Sequence, residues 1–133
     1  MTTRVSTPEG FATVTPYFVV QNADAFCRFL VEGLGGIELG RHMDGERIAN
    51  AQIRLENCTV MVGDSRPEWP ASSGHYILYV TDAHAAMARA LAAGATEIAA
   101  VSDQPYGDRQ GGVRDAEGNS WWITQRLESA PYY

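Results

Sequence analysis

One histidine and several aromatic side chains are the residues of this sequence best suited to chemistry. His75 opens the strand-like run 75–80, and an imidazole at the mouth of a strand can move protons near neutral pH. The alternative is a histidine that is satisfied by a neighbour or by water. Aromatic walls suit a planar or cationic organic ligand. The aromatic candidates, each in or beside a predicted strand, are Tyr17, Tyr79, Tyr106 and Trp122.

Arg109 is the candidate for anchoring a negative group. It opens the seventh predicted strand, where a guanidinium that faces a pocket can clamp a carboxylate or phosphate. A surface ion pair is the more common outcome for such a residue. The sequence holds no Ser/His/Asp arrangement, phosphate-cradling glycine loop or dinucleotide fingerprint, so these chemistries are not expected.

The charge and cysteine content narrow the class of protein. A net charge of −6 argues against nucleic acid, whose phosphates require a basic patch; it is compatible with a cationic ligand, and equally with a role in solubility. The polar start 1–10 has no apolar segment of a signal peptide, and no run approaches a membrane span. Cys27 and Cys58 lack metal-type spacing, which favours reduced thiols and a cytoplasmic protein.

The elements that must position these residues occur twice along the chain. The run 13–20 is β-branched and aromatic and ends at the helix-capping Asn22; about 60 residues later, 75–80 ends at Asp82. At this offset His75 corresponds to Thr15. The repeat predicts two β-α-β-β-β modules within a single domain spanning 1–133. The predicted ranges are a leader at 1–12, module 1 at about 13–63, a linker at 64–73 and module 2 at about 74–126.

Two such modules are expected to form an α+β fold, in which the joined sheets make a cupped, partly closed barrel and each helix covers the convex side of its own sheet. Strand alternation divides the side chains between the two faces. The apolar Leu78 and Val80 suit the helix side, so the side chains predicted to point into the cup are Thr15, Tyr17, His75 and Tyr79. Trp121 and Trp122 should lie on opposite faces, with Trp122 either lining the cup or simply packing on the sheet.

This layout resembles the vicinal oxygen chelate superfamily, which includes glyoxalase I, bleomycin- and fosfomycin-resistance proteins and extradiol dioxygenases. Gly74-His75 leading into 78–82 is similar to the strand that carries a metal-binding histidine in glyoxalase I. The turn 115–119 before Trp121-Trp122 is similar to the family's Asp-Pro-x-Gly-Asn turn. Together with 106–109, the two tryptophans resemble the PhnB-like branch. The resemblance covers about 13–126 and implies the glyoxalase/bleomycin resistance fold.

The resemblance also implies where a metal would be bound. The family's metal enzymes take one ligand from the first and last strand of each module, usually histidine, glutamine or glutamate. The corresponding positions are Thr15, Met61 (or Val62, depending on the register), His75 and Trp122. Of these, only His75 could bind a divalent cation well, because a hydroxyl is a poor ligand, a thioether is soft and an indole N–H only donates. The sequence therefore predicts no metal and no other cofactor.

Three functions follow, in order of preference. The first is metal-free binding of a small organic molecule, including a cationic one, in an aromatic cup, with resistance-type sequestration as one version. The alternative is a metal-independent isomerase or lyase, with His75 as the catalytic acid or base and Arg109 as the anchor of an anionic substrate. A metal-dependent glyoxalase or dioxygenase is the third. The resemblance implies a homodimer, and no nucleic acid or membrane partner is expected. The residues predicted to bind the ligand are Thr15, Tyr17, Met61, His75, Tyr79, Tyr106, Arg109 and Trp122.

Overall fold

A computed structural model describes residues 4–133 of the chain; the first three residues of the predicted leader lie outside this range. The elements follow one another in the predicted order. They are β1 (Tyr17–Val20), α1 (Ala23–Glu32), β2 (Ile37–Asp44), β3 (Arg47–Leu55), β4 (Cys58–Asp64), β5 (His75–Tyr79), α2 (Ala83–Ala92), β6 (Thr96–Asp103), β7 (Asp108–Arg114) and β8 (Ser120–Arg126). Within residues 4–133, no helix is long and apolar enough to cross a membrane.

The first compact unit runs to Val31 and resumes at Gly35–Ser72. Its sheet has the order β1-β4-β3-β2, with β1 parallel to β4 and the other pairs antiparallel. Asn22 begins α1, because its side-chain oxygen accepts the Ala25 N–H at 3.1 Å. The helix then packs Phe26 against Phe18 of β1, with ring centroids 5.1 Å apart. Gly45 adopts a positive φ of 64° between β2 and β3, as the Asp-Gly sequence of a tight turn requires.

The second compact unit contains Glu32–Leu34 and Ser73–Tyr133. Its sheet repeats the first, with the order β5-β8-β7-β6 and β5 parallel to β8. Asp82 caps α2 by accepting the Ala85 N–H at 3.1 Å, and the helix buries Met87 and Ala90 against one face of the sheet. A Cβ on Gly111 of β7 would lie 3.0 Å from the Met87 sulfur, which identifies the face that α2 covers.

The structure confirms the two β-α-β-β-β modules and corrects the length of the first strand. That strand was predicted over 13–20 but begins at Tyr17. Thr15 therefore lies outside it, and its hydroxyl donates to the Ala12 carbonyl at 3.2 Å. Local β propensity did extend through 13–16, but the first backbone bond to β4 in this region is from Met61 N–H to the Pro16 carbonyl, so pairing starts only there.

Candidate functional site

The second unit presents a sheet face that α2 does not cover, and the strand register decides which side chains share it. Trp122 of β8 lies between Ile77 of β5 and Gly112 of β7. Because side chains alternate along each strand, Tyr79 and Gln110 point to the same side. We call this surface the aromatic face. Its concavity of about 630 Å³ is lined by Ile77, Tyr79, Tyr106, Asp108, Gln110, Trp122, Tyr132 and Tyr133.

The Trp122 indole lies flat over Gly112. A Cβ at Gly112 would be 2.7 Å from Cζ3 of the ring, so only glycine leaves room for it. The indole Nε1–H donates to His75 Nδ1 at 3.2 Å, and the two rings are within 6° of parallel. Since Nδ1 accepts this bond, the neutral imidazole carries its own proton on Nε2. His75 is thus a partner of the tryptophan and holds it in place.

The turn between β7 and β8 positions both His75 and the tryptophans. Asp115 is 6% exposed; one carboxylate oxygen accepts the backbone N–H groups of Glu117 and Asn119, and the other accepts the Trp121 indole N–H at 2.8 Å. The Asn119 side chain in turn accepts the Gly74 N–H at 3.0 Å. The turn therefore ties the start of β5 to the β7–β8 hairpin, and it fixes Trp121 on the helix side of the sheet.

A buried carboxylate stands at the edge of the aromatic face. Asp108 is 2% exposed; its Oδ1 accepts Arg126 Nη1–H at 3.0 Å, and its Oδ2 accepts the Tyr132 hydroxyl at 2.6 Å. The Tyr132 oxygen also lies 2.8 Å from the Tyr79 oxygen. Because Tyr132 donates to Asp108, Tyr79 is the donor of this second bond. The bond to Asp108, then that to Tyr79 and burial, raise the pKa of Tyr132 above its ordinary value.

Of the predicted binding residues in the second unit, three come together in the concavity, one flanks it and one faces away. Tyr79, Tyr106 and Trp122 line the concavity, and His75 contacts Trp122 from the side. The prediction that Arg109 faces the pocket is wrong, because the β7–β8 register places it on the α2 side. There it forms an ion pair with Asp103 at 2.7 Å, and its bond to Asp103 raises the pKa of Arg109 above its ordinary value.

The predicted residues of the first module lie in the first unit. Tyr17 pairs in register with Met61, so Met61 shares its open face while Val62 is buried beside Phe18; this answers the register question. The Tyr17 hydroxyl donates to the Ala49 carbonyl at 2.9 Å. A separate concavity of about 470 Å³ in this unit is lined by Tyr17, Val19, Arg47, Ala49, Asp64, Arg66 and Trp69. Thr15 is not among its lining residues.

Sequence reasoning did not name several residues that line the concavity, namely Ile77, Asp108, Gln110, Tyr132 and Tyr133, nor Arg126 beside it. A signal for Asp108 and Gln110 did exist. The turn 115–119 pairs Arg114 with Ser120, which places Gly112 opposite Trp122. Every second residue of β7 points to the same side as Gly112, and these residues are Gln110 and Asp108. No comparable local signal pointed to Tyr132.

The four positions that hold a metal in the superfamily do not fit one here. In the first unit they carry a hydroxyl and a thioether, Thr15 and Met61; in the second they carry His75 and Trp122. His75 is the residue of this set best suited to bind a metal ion, but its Nδ1 atom already accepts the Trp122 indole N–H. Among residues 4–133, no group of three or more His, Cys, Asp or Glu side chains is placed to hold a metal ion. The donor set is therefore poor for a hard or borderline cation.

The two mixed sheets with their helices define an α+β fold of the glyoxalase/bleomycin resistance type. A family profile described as "Glyoxalase-like domain" matches residues 17–124, and the chain belongs to this family, within the vicinal oxygen chelate superfamily. An uncharacterised protein of Mycobacterium bovis is 38% identical over 125 residues, which cover 84% of this chain and 82% of that protein.

Solved structures share the fold. TioX from Micromonospora sp. ML1 is 26% identical with a TM-score of 0.74, covering 87% of this chain and 99% of that one. TnmS3, an antibiotic-binding protein from Streptomyces sp. CB03234, is 20% identical with a TM-score of 0.73, covering 94% and 99%. A member of the glyoxalase/bleomycin resistance protein/dioxygenase superfamily from Sphaerobacter thermophilus is 19% identical with a TM-score of 0.67, covering 86% and 98%.

Proposed function

We propose that the protein binds a small planar organic molecule on the aromatic face, without a metal ion, and sequesters it. One observation carries this proposal: Tyr79 and Tyr106 remain 54% and 47% exposed around Trp122 within a single concavity of about 630 Å³. That volume lies in the range of small-molecule sites, roughly 300–1,000 Å³. A cluster of exposed aromatic side chains normally marks a binding surface.

The chemistry of the face favours stacking as the main source of affinity. The Trp122 ring is held in one orientation by Gly112 and His75, so little side-chain entropy is lost when a ligand stacks on it. A cationic ligand is one version, since the chain carries a net charge of −6. Resistance-type sequestration is another version. Its support comes from the shared fold alone, because TnmS3, which has this fold, is an antibiotic-binding protein.

The same geometry supports binding over catalysis. A catalytic His75 was expected to act with Arg109, but the two lie on opposite faces of the sheet. His75 Nδ1 is moreover occupied by the Trp122 N–H, which leaves only the protonated Nε2 for a substrate. His75→Ala should therefore weaken ligand binding only through a looser Trp122. Loss of a measurable turnover in this variant, with binding intact, would favour the isomerase or lyase alternative.

Calorimetric titration with two planar probes, neutral 2-naphthol and cationic 9-aminoacridine, tests the proposal. Aromatic stacking is worth about 1–3 kcal/mol per stacked base by alanine substitution, so Trp122→Ala should weaken binding by about fivefold to 150-fold. Leu91→Ala is the control, because Leu91 is an exposed apolar residue of α2 on the covered side of the sheet. It should leave the affinity unchanged.

The outcomes separate the versions of the proposal. Binding of 9-aminoacridine that weakens with added salt supports a cationic ligand, whereas salt-independent binding of 2-naphthol supports a neutral one. If neither probe binds, or if both bind equally well to wild type and Trp122→Ala, the aromatic face is not the site and the proposal fails.

We also propose that the protein is a cytoplasmic homodimer. Both cysteines, Cys27 and Cys58, are free, which agrees with a reducing compartment. The two sheets end in β2 and β6, and an edge strand offers backbone groups with which a second copy can pair. Native mass spectrometry of protein purified without chelator or affinity-tag metal reports mass, bound metal and any organic adduct together. A stoichiometric metal ion would overturn the metal-free part of the proposal, and a monomer would overturn the dimer.

A further inference from the structure

The side chain of Tyr132 lies in the concavity of the aromatic face, where a bound aromatic ligand is expected to lie. β8 ends at Arg126, and the following segment, 127–133, returns over the sheet. The Tyr132 hydroxyl donates to Asp108 Oδ2 at 2.6 Å, and the Arg126 guanidinium lies 4.2 Å from the centre of the Tyr132 ring. Tyr106 meets the same ring edge-on, with centroids 6.3 Å apart. A phenol is thus bound there by a hydrogen-bond acceptor, a cation and an aromatic wall.

Asp108 is what makes this position selective. Its carboxylate is 2% exposed, and Arg126 holds one of its oxygens, so the second oxygen is aimed at the Tyr132 hydroxyl. A hydrogen bond to a charged acceptor is short and strong. A buried acceptor left without a donor is costly. A ring that displaces Tyr132 and keeps water away from Asp108 must therefore supply a donor of its own.

The charges around the ring define the rest of the ligand. The ion pair of Asp108 and Arg126 at 3.0 Å is neutral. Glu128, 3.8 Å from Arg126, is 60% exposed and its charge is screened by solvent, so the charges at the ring give little net attraction to a charged molecule. A cationic ring would meet the Arg126 guanidinium at stacking distance, and a carboxylate would meet Asp108. A neutral ring that carries a hydroxyl satisfies both groups, as the Tyr132 side chain does.

We propose that the aromatic face is selective for a neutral hydroxyaromatic ring and that Tyr132 is a built-in competitor for this position. The incoming ring takes the place of Tyr132 on Asp108 and Arg126 and leaves Trp122 available for stacking of a larger ligand. This inference rests on the proposed function, since it concerns the same face. It adds the class of ligand, a neutral hydroxyaromatic ring, and it identifies Tyr132 as the side chain that lowers the affinity for that ring.

Tyr132→Ala opens the position without removing a core residue, because Tyr132 is 45% exposed. The probes are p-cresol, which reproduces the tyrosine side chain, and 4-methylanisole, which keeps the ring but cannot donate a proton. Binding is followed by ¹H–¹⁵N NMR titration of the Trp122 indole N–H; the same spectrum shows that the variant is folded. Leu127→Ala is the matched control, because Leu127 is an exposed apolar residue of the same returning segment and does not line the concavity.

The expected result is that Tyr132→Ala binds p-cresol about tenfold more tightly than wild type does, and about tenfold more tightly than it binds 4-methylanisole. Leu127→Ala should match wild type. Tyr132→Phe should fall between wild type and Tyr132→Ala, because its ring remains but is no longer held by Asp108.

Each contrary outcome is informative. Equal affinity of Tyr132→Ala for the two probes refutes the recognition of a hydroxyl, although the proposed function stands. Equal p-cresol affinity in wild type and Tyr132→Ala refutes the role of Tyr132 as a competitor. If neither probe binds Tyr132→Ala, the inference falls; the proposed function falls with it only when 2-naphthol and 9-aminoacridine also fail to bind in a Trp122-dependent way.

Discussion

Replacing Gly112 by alanine tests the geometry on which the aromatic face depends. A Cβ at this position would lie 2.7 Å from Cζ3 and 2.8 Å from Cε3 of the Trp122 ring. Carbon atoms in contact are about 3.5–4.0 Å apart, so the indole must move by about 1 Å. The bond from its Nε1 to His75, already 3.2 Å long, would then be lost.

The expected loss of stability is small because Trp122 is only half-buried and can tilt towards solvent. Overpacking costs about 1–3 kcal/mol, and we expect about 1 kcal/mol here, partly offset because alanine is favoured over glycine in a strand. Gly111→Ala is the control on the other face. Its Cβ would lie 2.9 Å from Val101 Cγ2 and 3.0 Å from the sulfur of Met87. Since Met87 is 4% exposed, this change should cost about 2 kcal/mol.

Two measurements separate the variants. Urea unfolding should show the larger loss for Gly111→Ala, whereas the NMR signals of the Trp122 indole and the His75 ring should shift only in Gly112→Ala. The affinity for 2-naphthol should fall in Gly112→Ala and stay unchanged in Gly111→Ala. If the indole signal shifts in Gly111→Ala and not in Gly112→Ala, the two faces have been assigned the wrong way round and the site is elsewhere.

Three further predictions concern stability and reactivity. Asp115→Ala should lower the free energy of unfolding by about 3 kcal/mol in urea, because it strips several N–H donors in a buried turn of their acceptor; an unchanged midpoint would refute that role. A thiol reagent at pH 8 should label Cys58 and spare Cys27 until unfolding, since burial raises the pKa of Cys27 to about 11; labelling of both at one rate would contradict this. The bond from Arg109 lowers the pKa of Asp103, so that carboxylate stabilises the fold at neutral pH and loses its effect as pH falls through the lowered pKa. Asp103→Asn should therefore reduce Tm at pH 7, and the reduction should shrink as the pH is lowered step by step into the acid range; a reduction that stays the same across the series would exclude the linkage.

Local sequence signals predicted the elements because each reflects a short-range interaction. Asn22 and Asp82 cap helices through the N–H three residues on, and the alternating runs mark strands whose two faces differ in burial. The repeat of these signals identified the two modules. Trp121 and Trp122 were also assigned to opposite faces correctly, because neighbours on one strand always point to opposite sides.

Where an assignment depended on pairing, local signals were insufficient. The first strand was predicted too long because β propensity cannot show where β4 begins to pair with it. Arg109 was predicted to anchor a negative group because a guanidinium can clamp a carboxylate or phosphate, but neighbours on one strand point to opposite faces of the sheet. The register of β7 against β8 makes Asp108 the residue of the aromatic face.

The sequence by itself therefore determined the modules, the helix caps, the aromatic residues of the strands and the poor metal-ligand set. Only the tertiary structure decided which of these residues share a face and what lies on it. Tyr132 meets Asp108 across 24 positions of the chain, and no periodicity or turn sequence encodes such a contact. It forms because the folded sheet buries the Asp108 carboxylate, and a buried carboxylate requires a donor that the returning segment supplies.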